Sequence, residues 1–153
     1  VKARASIRRF PNRAADRRAL RKLAAFRYAL RKFLRFSEQA ARSFGVTPQQ
    51  HQLLLGVAGF TSQNRATISQ LAEFMQERHN STVELAKRAA RRGLVRREHD
   101  PYDRRFVVVS LTARGEAVLA GLAKLHTQEL ARLKVGLLAL DKHRPRAMAE
   151  KRR

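Results

Sequence analysis

Between residues 47 and 84 the chain signals the start of a helix three times. Thr47-Pro48-Gln49-Gln50 offers an N-cap threonine, a proline at the first helical position and a glutamine where a capping box needs one. Thr67-Ile68-Ser69-Gln70 and Ser81-Thr82-Val83-Glu84 repeat the pattern, so Glu84 reads as a cap rather than a base reader. Each start leads into a short run, HQLLLGVAGF, SQLAEFMQ and VELAKRAARR, and Gly93 closes the last. Immediately after Gly93, two β-prone runs, LVRRE and RFVVVSL, flank the polar loop HDPYDR and predict a hairpin. Six arginines and three acids sit in or beside it.

Long amphipathic segments flank this unit. From about Asp16 to Phe44, apolar residues recur at Leu23, Phe26, Leu30, Phe33, Ala40 and Phe44, in steps of three and four broken only at Ser37. The other faces carry like charges four apart, Arg17/Arg21, Arg27/Arg31 and Arg31/Arg35, which repel along a helix. That helix therefore needs tertiary packing or a counter-anion, and Gly45 supplies its C-cap. Beyond the hairpin, Leu111-Thr112 opens a last helical region with Val118, Leu119, Leu122, Leu125, Leu130 and Leu133 on a broad apolar face. Pro145 blocks its continuation into the basic tail. The expected order is long helix, three short helices, two-stranded hairpin, long helix. The chain reads as a basic arm (1–15), an N-terminal helix (16–46), a central core (47–112), C-terminal helices (113–140) and a basic tail (141–153).

Charge narrows the partner. With 34 Lys and Arg against 12 acids, the net charge of +22 calls for a polyanion, nucleic acid before an acidic membrane surface. The surplus is uneven. Residues 1–44 hold 14 basic residues against two acids, residues 45–113 ten against six, and residues 114–153 ten against four. The most basic part is thus the N-terminal segment and not the hairpin. Its first residues resemble an organelle transit peptide, but the basic character runs past residue 30 into expected helix. Val1 is not read as the true start, since no initiator Met precedes it.

Other chemistry finds no footing. No apolar run is long enough to span a membrane. With no cysteine, disulfides, thiol sensing and cysteine-ligated zinc are excluded. His51, His79, His99, His126 and His143 show no ligand spacing, so no metal or other cofactor is expected. No Gly-rich phosphate loop, nucleophile elbow or paired carboxylates with a base appear, so no enzyme is expected.

Two short helices with a tight turn, the second running through a glycine into a hairpin, describe a winged helix-turn-helix. In such a unit the start of the second helix faces base edges in the major groove. Here that start carries Asn80, Ser81 and Thr82, with Lys87, Arg88, Arg91 and Arg92 further along for phosphates. Arg96, Arg97, Arg104 and Arg105 supply the hairpin's cations.

At this point the sequence resembles the multiple-antibiotic-resistance-regulator (MarR) family of bacterial transcription factors. The resemblance rests on Leu71-Ala72, on the run GLVRREHDPYDRRFVVVSLTARGEAVL, and above all on Asp100-Pro101-Tyr102-Asp103-Arg104-Arg105, Val107, Val109, Leu111-Thr112 and Gly115. It covers roughly residues 16 to 140. It implies a mainly α (α+β) winged helix-turn-helix with a two-stranded wing. It further implies a homodimer built from the first and last helices through Leu23, Phe26, Leu30, Phe33, Leu122, Leu125 and Leu130, bound as double-stranded DNA's reader to a near-palindromic operator. Arg105 would enter the minor groove and Asp103 would hold it in place; narrow A·T-rich grooves attract such a side chain. His51 lies where relatives form an effector pocket, for a small aromatic or anionic molecule, although a packing histidine is the plainer reading. Ala86, Ala89 and Ala90 stand where larger aliphatics are the family habit, which predicts looser packing of that helix. The expected role is a repressor in the cytoplasm, at the nucleoid. The competing expectation is a non-specific nucleoid-associated or RNA-binding basic protein.

Overall fold

The computed structural model describes residues 13–61 and 63–142. The arm before residue 13 and the tail after residue 142 lie outside the described residues. The elements run α1 (Arg13–Ser43), α2 (Pro48–Gly59), β1 (Arg65–Thr67), α3 (Ile68–Met75), α4 (His79–Arg91), β2 (Val95–His99), β3 (Val107–Leu111) and α5 (Ala113–Lys142). This is the expected mainly helical winged helix-turn-helix, with one strand more than the sequence predicted.

Two of the three helix starts form as read. Thr47 accepts from the Gln50 N–H at 3.1 Å while Gln50 Oε1 accepts from the Thr47 N–H at 3.0 Å. Thr67 and Gln70 repeat the reciprocal pair at the start of α3. The third start is a correction. α4 begins at His79 with Arg78 as its N-cap, and no side chain caps it. Gln76 turns α3 off in the left-handed region at φ 54, so the chain enters α4 before reaching Ser81. Ser81 is already inside the first turn, and Glu84 accepts from Lys87 Nζ at 2.7 Å instead of closing a capping box.

The additional strand is β1. It pairs antiparallel with β3, Ala66 opposite Val109, and the sheet order is β1-β3-β2. The central position of β3 explains its unbroken valines: Val108 and Val109 are both buried. The β2–β3 register sets Arg96 opposite Ser110 and Arg97 opposite Val109.

By contact the chain divides into two compact units, one of residues 35–129 and one of the residues through Leu34 together with those from Leu130 onward. In the first, Leu53, Leu54, Val57, Leu71, Leu94, Val109 and Leu122 are fully enclosed. Ala86 and Ala89 are fully buried too, so the small residues of α4 mark close helix approach, not the loose seam expected. Gly93 closes α4 at φ +67, a conformation a β-carbon disfavours. Its carbonyl accepts from Thr112 Oγ1 at 2.6 Å, and Thr112 Oγ1 in turn accepts from the Gly115 N–H at 3.0 Å, capping α5. At Gly115 a β-carbon would lie 2.0 Å from the Leu94 carbonyl oxygen, so α5 starts in direct contact with the root of β2. The L-T-x-x-G run is thus a joint between helix and wing.

In the other unit, α1 and α5 leave apolar side chains uncovered: Leu23 is 58% exposed, Phe26 48% and Leu130 49%. Leu30 and Phe33 are half-buried. No helix among the described residues is long and apolar enough to cross a membrane.

Candidate nucleic-acid interface

The loop between β2 and β3 is built by two aspartates. Asp100 Oδ1 accepts from the backbone N–H groups of Tyr102 at 2.8 Å and Asp103 at 3.0 Å, an Asx turn that sets the loop's shape. The Asp100 N–H donates to the Phe106 carbonyl at 2.9 Å, and the Phe106 N–H to the Asp103 carbonyl at 3.0 Å. Arg65 Nη2, from β1, lies 3.5 Å from Asp100 Oδ2, and His99 Nδ1 lies 2.8 Å from the Arg104 carbonyl oxygen. The tip is therefore a tied ribbon.

Arg105 leaves this ribbon in a bidentate pair with Asp103. Nη2 donates to Oδ2 at 2.7 Å and Nε to Oδ1 at 3.0 Å, while the Arg105 backbone N–H donates to Oδ1 at 3.1 Å. These bonds, the side-chain ones foremost, hold the Asp103 carboxyl below the ordinary aspartate range and raise the Arg105 guanidinium above its own. Both charges face solvent, so the pair orients the arginine more than it stabilises the chain. The outer edge of the guanidinium keeps donors for an acceptor in front of it.

Residues expected at this surface fall into distinct places. Asn80 and Ser81 are exposed on the first turn of α4, where uncapped backbone N–H groups accompany them. Thr82 is a correction: it is only 1% exposed, and its hydroxyl donates to the Arg78 carbonyl at 3.2 Å, so it packs α4 against the core. Lys87 is committed to Glu84, whose carboxyl the contact holds below its usual range. Arg88 is exposed and lines a groove of about 580 Å³ with Arg91, Arg92, Ser81, Thr47 and Gln49. Arg92 Nη2 also donates to the Gly45 carbonyl at 2.9 Å, tying the end of α4 to the α1–α2 turn.

On the wing, Arg96 and Arg104 are exposed, whereas Arg97 points to the other side of β2. Arg97 and Arg105 line a cavity of about 130 Å³ with Ser69 and His79, rich in donors and without a carboxylate. Arg97 Nε is buried with no hydrogen-bond partner. Sequence reasoning missed Asp100 as the organiser of the tip, although Asp-Pro is a turn signal. It missed Ser69, His79 and Arg65, which only the fold brings to the wing. Tyr102, 97% exposed at the tip, also went unread.

Leu122 is the remaining correction. It is wholly buried inside its own chain, with no surface left for a second one, and Leu125 packs on the same core. Beside them sits a histidine pair, His51 buried and His126 half-buried. His51 lies 4.8 Å, ring to ring, from His126, whose Nδ1 faces the Leu122 carbonyl at 2.7 Å and whose Nε2 lies 2.8 Å from the Ser37 hydroxyl. Burial, with His126 adding to it, lowers His51 to about 4. Among the described residues, no group of three or more His, Cys, Asp or Glu could hold a metal ion.

Comparison with known proteins places this geometry. Residues 44–105 match the model of the MarR family. Over 38 residues the chain is 60% identical to the transcriptional regulator HosA of Escherichia coli O111:H-, a match to 25% of this chain that spans 28% of that relative's length. A solved MarR family transcription regulator is 26% identical with a TM-score of 0.69, over 84% of this chain and 87% of that one. A MarR family transcriptional regulator from Streptomyces coelicolor, solved in complex with DNA, shares the fold at 21% identity with a TM-score of 0.63, over 90% of this chain and 80% of its own. By its matched core, its shared fold and the wing sequence that carries the Asp103–Arg105 clamp, the chain is similar to the MarR family.

Proposed function

We propose that the chain is a sequence-specific DNA-binding transcriptional repressor. It acts in the cytoplasm, at the nucleoid, as a homodimer on a near-palindromic operator, and a small aromatic or anionic effector releases it. The observation that carries this reading is an oriented, solvent-facing Arg105 on a tied wing, in the same winged helix as the uncapped start of α4. Asn80 and Ser81 face the major groove with the first-turn amides, a pairing of base readers and an anion-favouring helix end. Arg105 enters the adjoining minor groove, and Arg88, Arg96, Arg97 and Arg104 meet phosphates. The family's member solved in complex with DNA supports the choice of ligand.

The homodimer rests on Leu23, Phe26 and Leu130, with Leu30 and Phe33 beside them; Leu122 serves the core instead. The effector is the part of the reading carried by resemblance, with the histidine pair at α2 and α5 as its neighbourhood.

Selection from a random duplex pool, followed by a salt titration on the winning site, tests this reading. The expected winner is an inverted repeat held about a thousandfold or more above random duplex. Equal affinity for every duplex, or tighter binding to RNA, would leave the non-specific nucleoid or RNA-binding role standing and remove the repressor.

A further inference from the structure

The winged helix accounts for little of the chain's charge. Residues 45–113 carry ten basic residues against six acids, while residues 1–44 carry fourteen against two. Much of that excess is laid along α1, a 31-residue helix. Arg17, Arg21, Arg31 and Lys32 fall on one arc, in helical steps of four, ten and one, and all four are exposed. The apolar residues Leu23, Phe26, Leu30 and Phe33 occupy the opposite side. Among the described residues, Arg17, Arg21 and Arg31 form no ion pair, and Lys32 Nζ stands 5.7 Å over the Tyr28 ring. Like charges four apart destabilise a helix, so the stripe works against α1 in the free chain.

We propose that this arginine face of α1 is a second nucleic-acid surface, occupied by the backbone of double-stranded DNA without regard to sequence. It is independent of the winged-helix reading. Charge complementarity names the polyanion: the four cations span about 22 Å along a straight rod, against a duplex that presents one phosphate charge per about 1.7 Å of its axis. A rigid row suits a rigid duplex. Single strands need aromatic platforms between the cations, and Tyr28 on this arc is taken by Lys32. Anchorage in a membrane would bury the apolar face of the helix, and here Leu23 and Phe26 on that face are the residues on which the proposed homodimer rests.

The test uses the full chain, a mixed-sequence duplex, and a combined Arg17→Gln, Arg21→Gln, Arg31→Gln, Lys32→Gln variant. Its log–log salt slope should flatten by about 0.9 per lost contact, or up to ~3.6 in all. Its preference for the selected operator over random duplex should stay as it was, and its Tm should hold or rise as the repulsion is relieved. A second variant, with each arginine made lysine and Lys32 made arginine, should keep the original slope; it retains the charge and controls for folding. An unchanged slope in the Gln variant overturns the proposal. So does a variant that keeps its grip on duplex while losing single-stranded RNA or vesicles of anionic phospholipid.

Discussion

At the scale of single residues, Arg105 and Asp103 act as one device. Arg105→Ala should weaken operator binding by about 1–3 kcal/mol, the range for a groove contact, with the dimer intact. Asp103→Asn should move affinity the same way by less, and the double variant should fall short of the sum, because the carboxylate acts through the guanidinium. Binding isotherms for the three variants would decide it. Because the Asp103 pKa is depressed, the clamp is present at neutral pH and survives as pH falls through the ordinary aspartate range; it opens only below that. His51 behaves oppositely. It titrates near 4 in the folded chain against an ordinary 6.5, so between those values the unfolded chain holds the extra proton. The stability it contributes is complete above 6.5 and drains away as pH drops towards 4, by about 1–2 kcal/mol once solvent screening is allowed for. Thermal melts across that window should show Tm falling, and His51→Gln should flatten the decline.

At the scale of elements, cap chemistry separates structure from recognition. Thr47→Ala and Thr67→Ala should each cost about 1 kcal/mol of folding stability. Ser81→Ala should leave the chemical-denaturation midpoint in place and show itself only in DNA binding, since Ser81 caps nothing in this fold. Gly115→Ala should cost about 2–3 kcal/mol, because its β-carbon meets backbone that cannot step aside. These residues also mark where the sequence was legible. Thr47, Thr67, Gly93 and the period of α1 act through neighbours a few positions away, so their roles could be read directly. Ser81 misled because S-x-x-E has the same spacing as an ordinary pair one turn apart, and the left-handed Gln76 that starts α4 early leaves no sequence mark. β1 is three residues long, too short to show alternation, and exists because β3 offers it an edge. Arg97, Ser69 and His79 meet through tertiary packing that no local pattern encodes.

At the scale of the molecule, the uncovered Leu23, Phe26 and Leu130 are the apolar surface on which the proposed homodimer rests. Phe26→Glu should weaken self-association about a hundredfold or more, since two-fold symmetry removes the burial of a phenyl ring twice. Sedimentation should then show monomer at micromolar concentration, with operator affinity lost while the fold survives by circular dichroism. A monomer in the unaltered protein would end the dimer reading. One consequence of the wing's construction is optical. The chain contains no tryptophan and two tyrosines, and Tyr102 stands almost wholly in water on a tip that Asp100 holds still. In a Tyr28→Phe background its phenol becomes the chain's sole emitter at tyrosine wavelengths. The molecule thus carries its own reporter at the tip of its wing, and emission can follow docking there without an added dye.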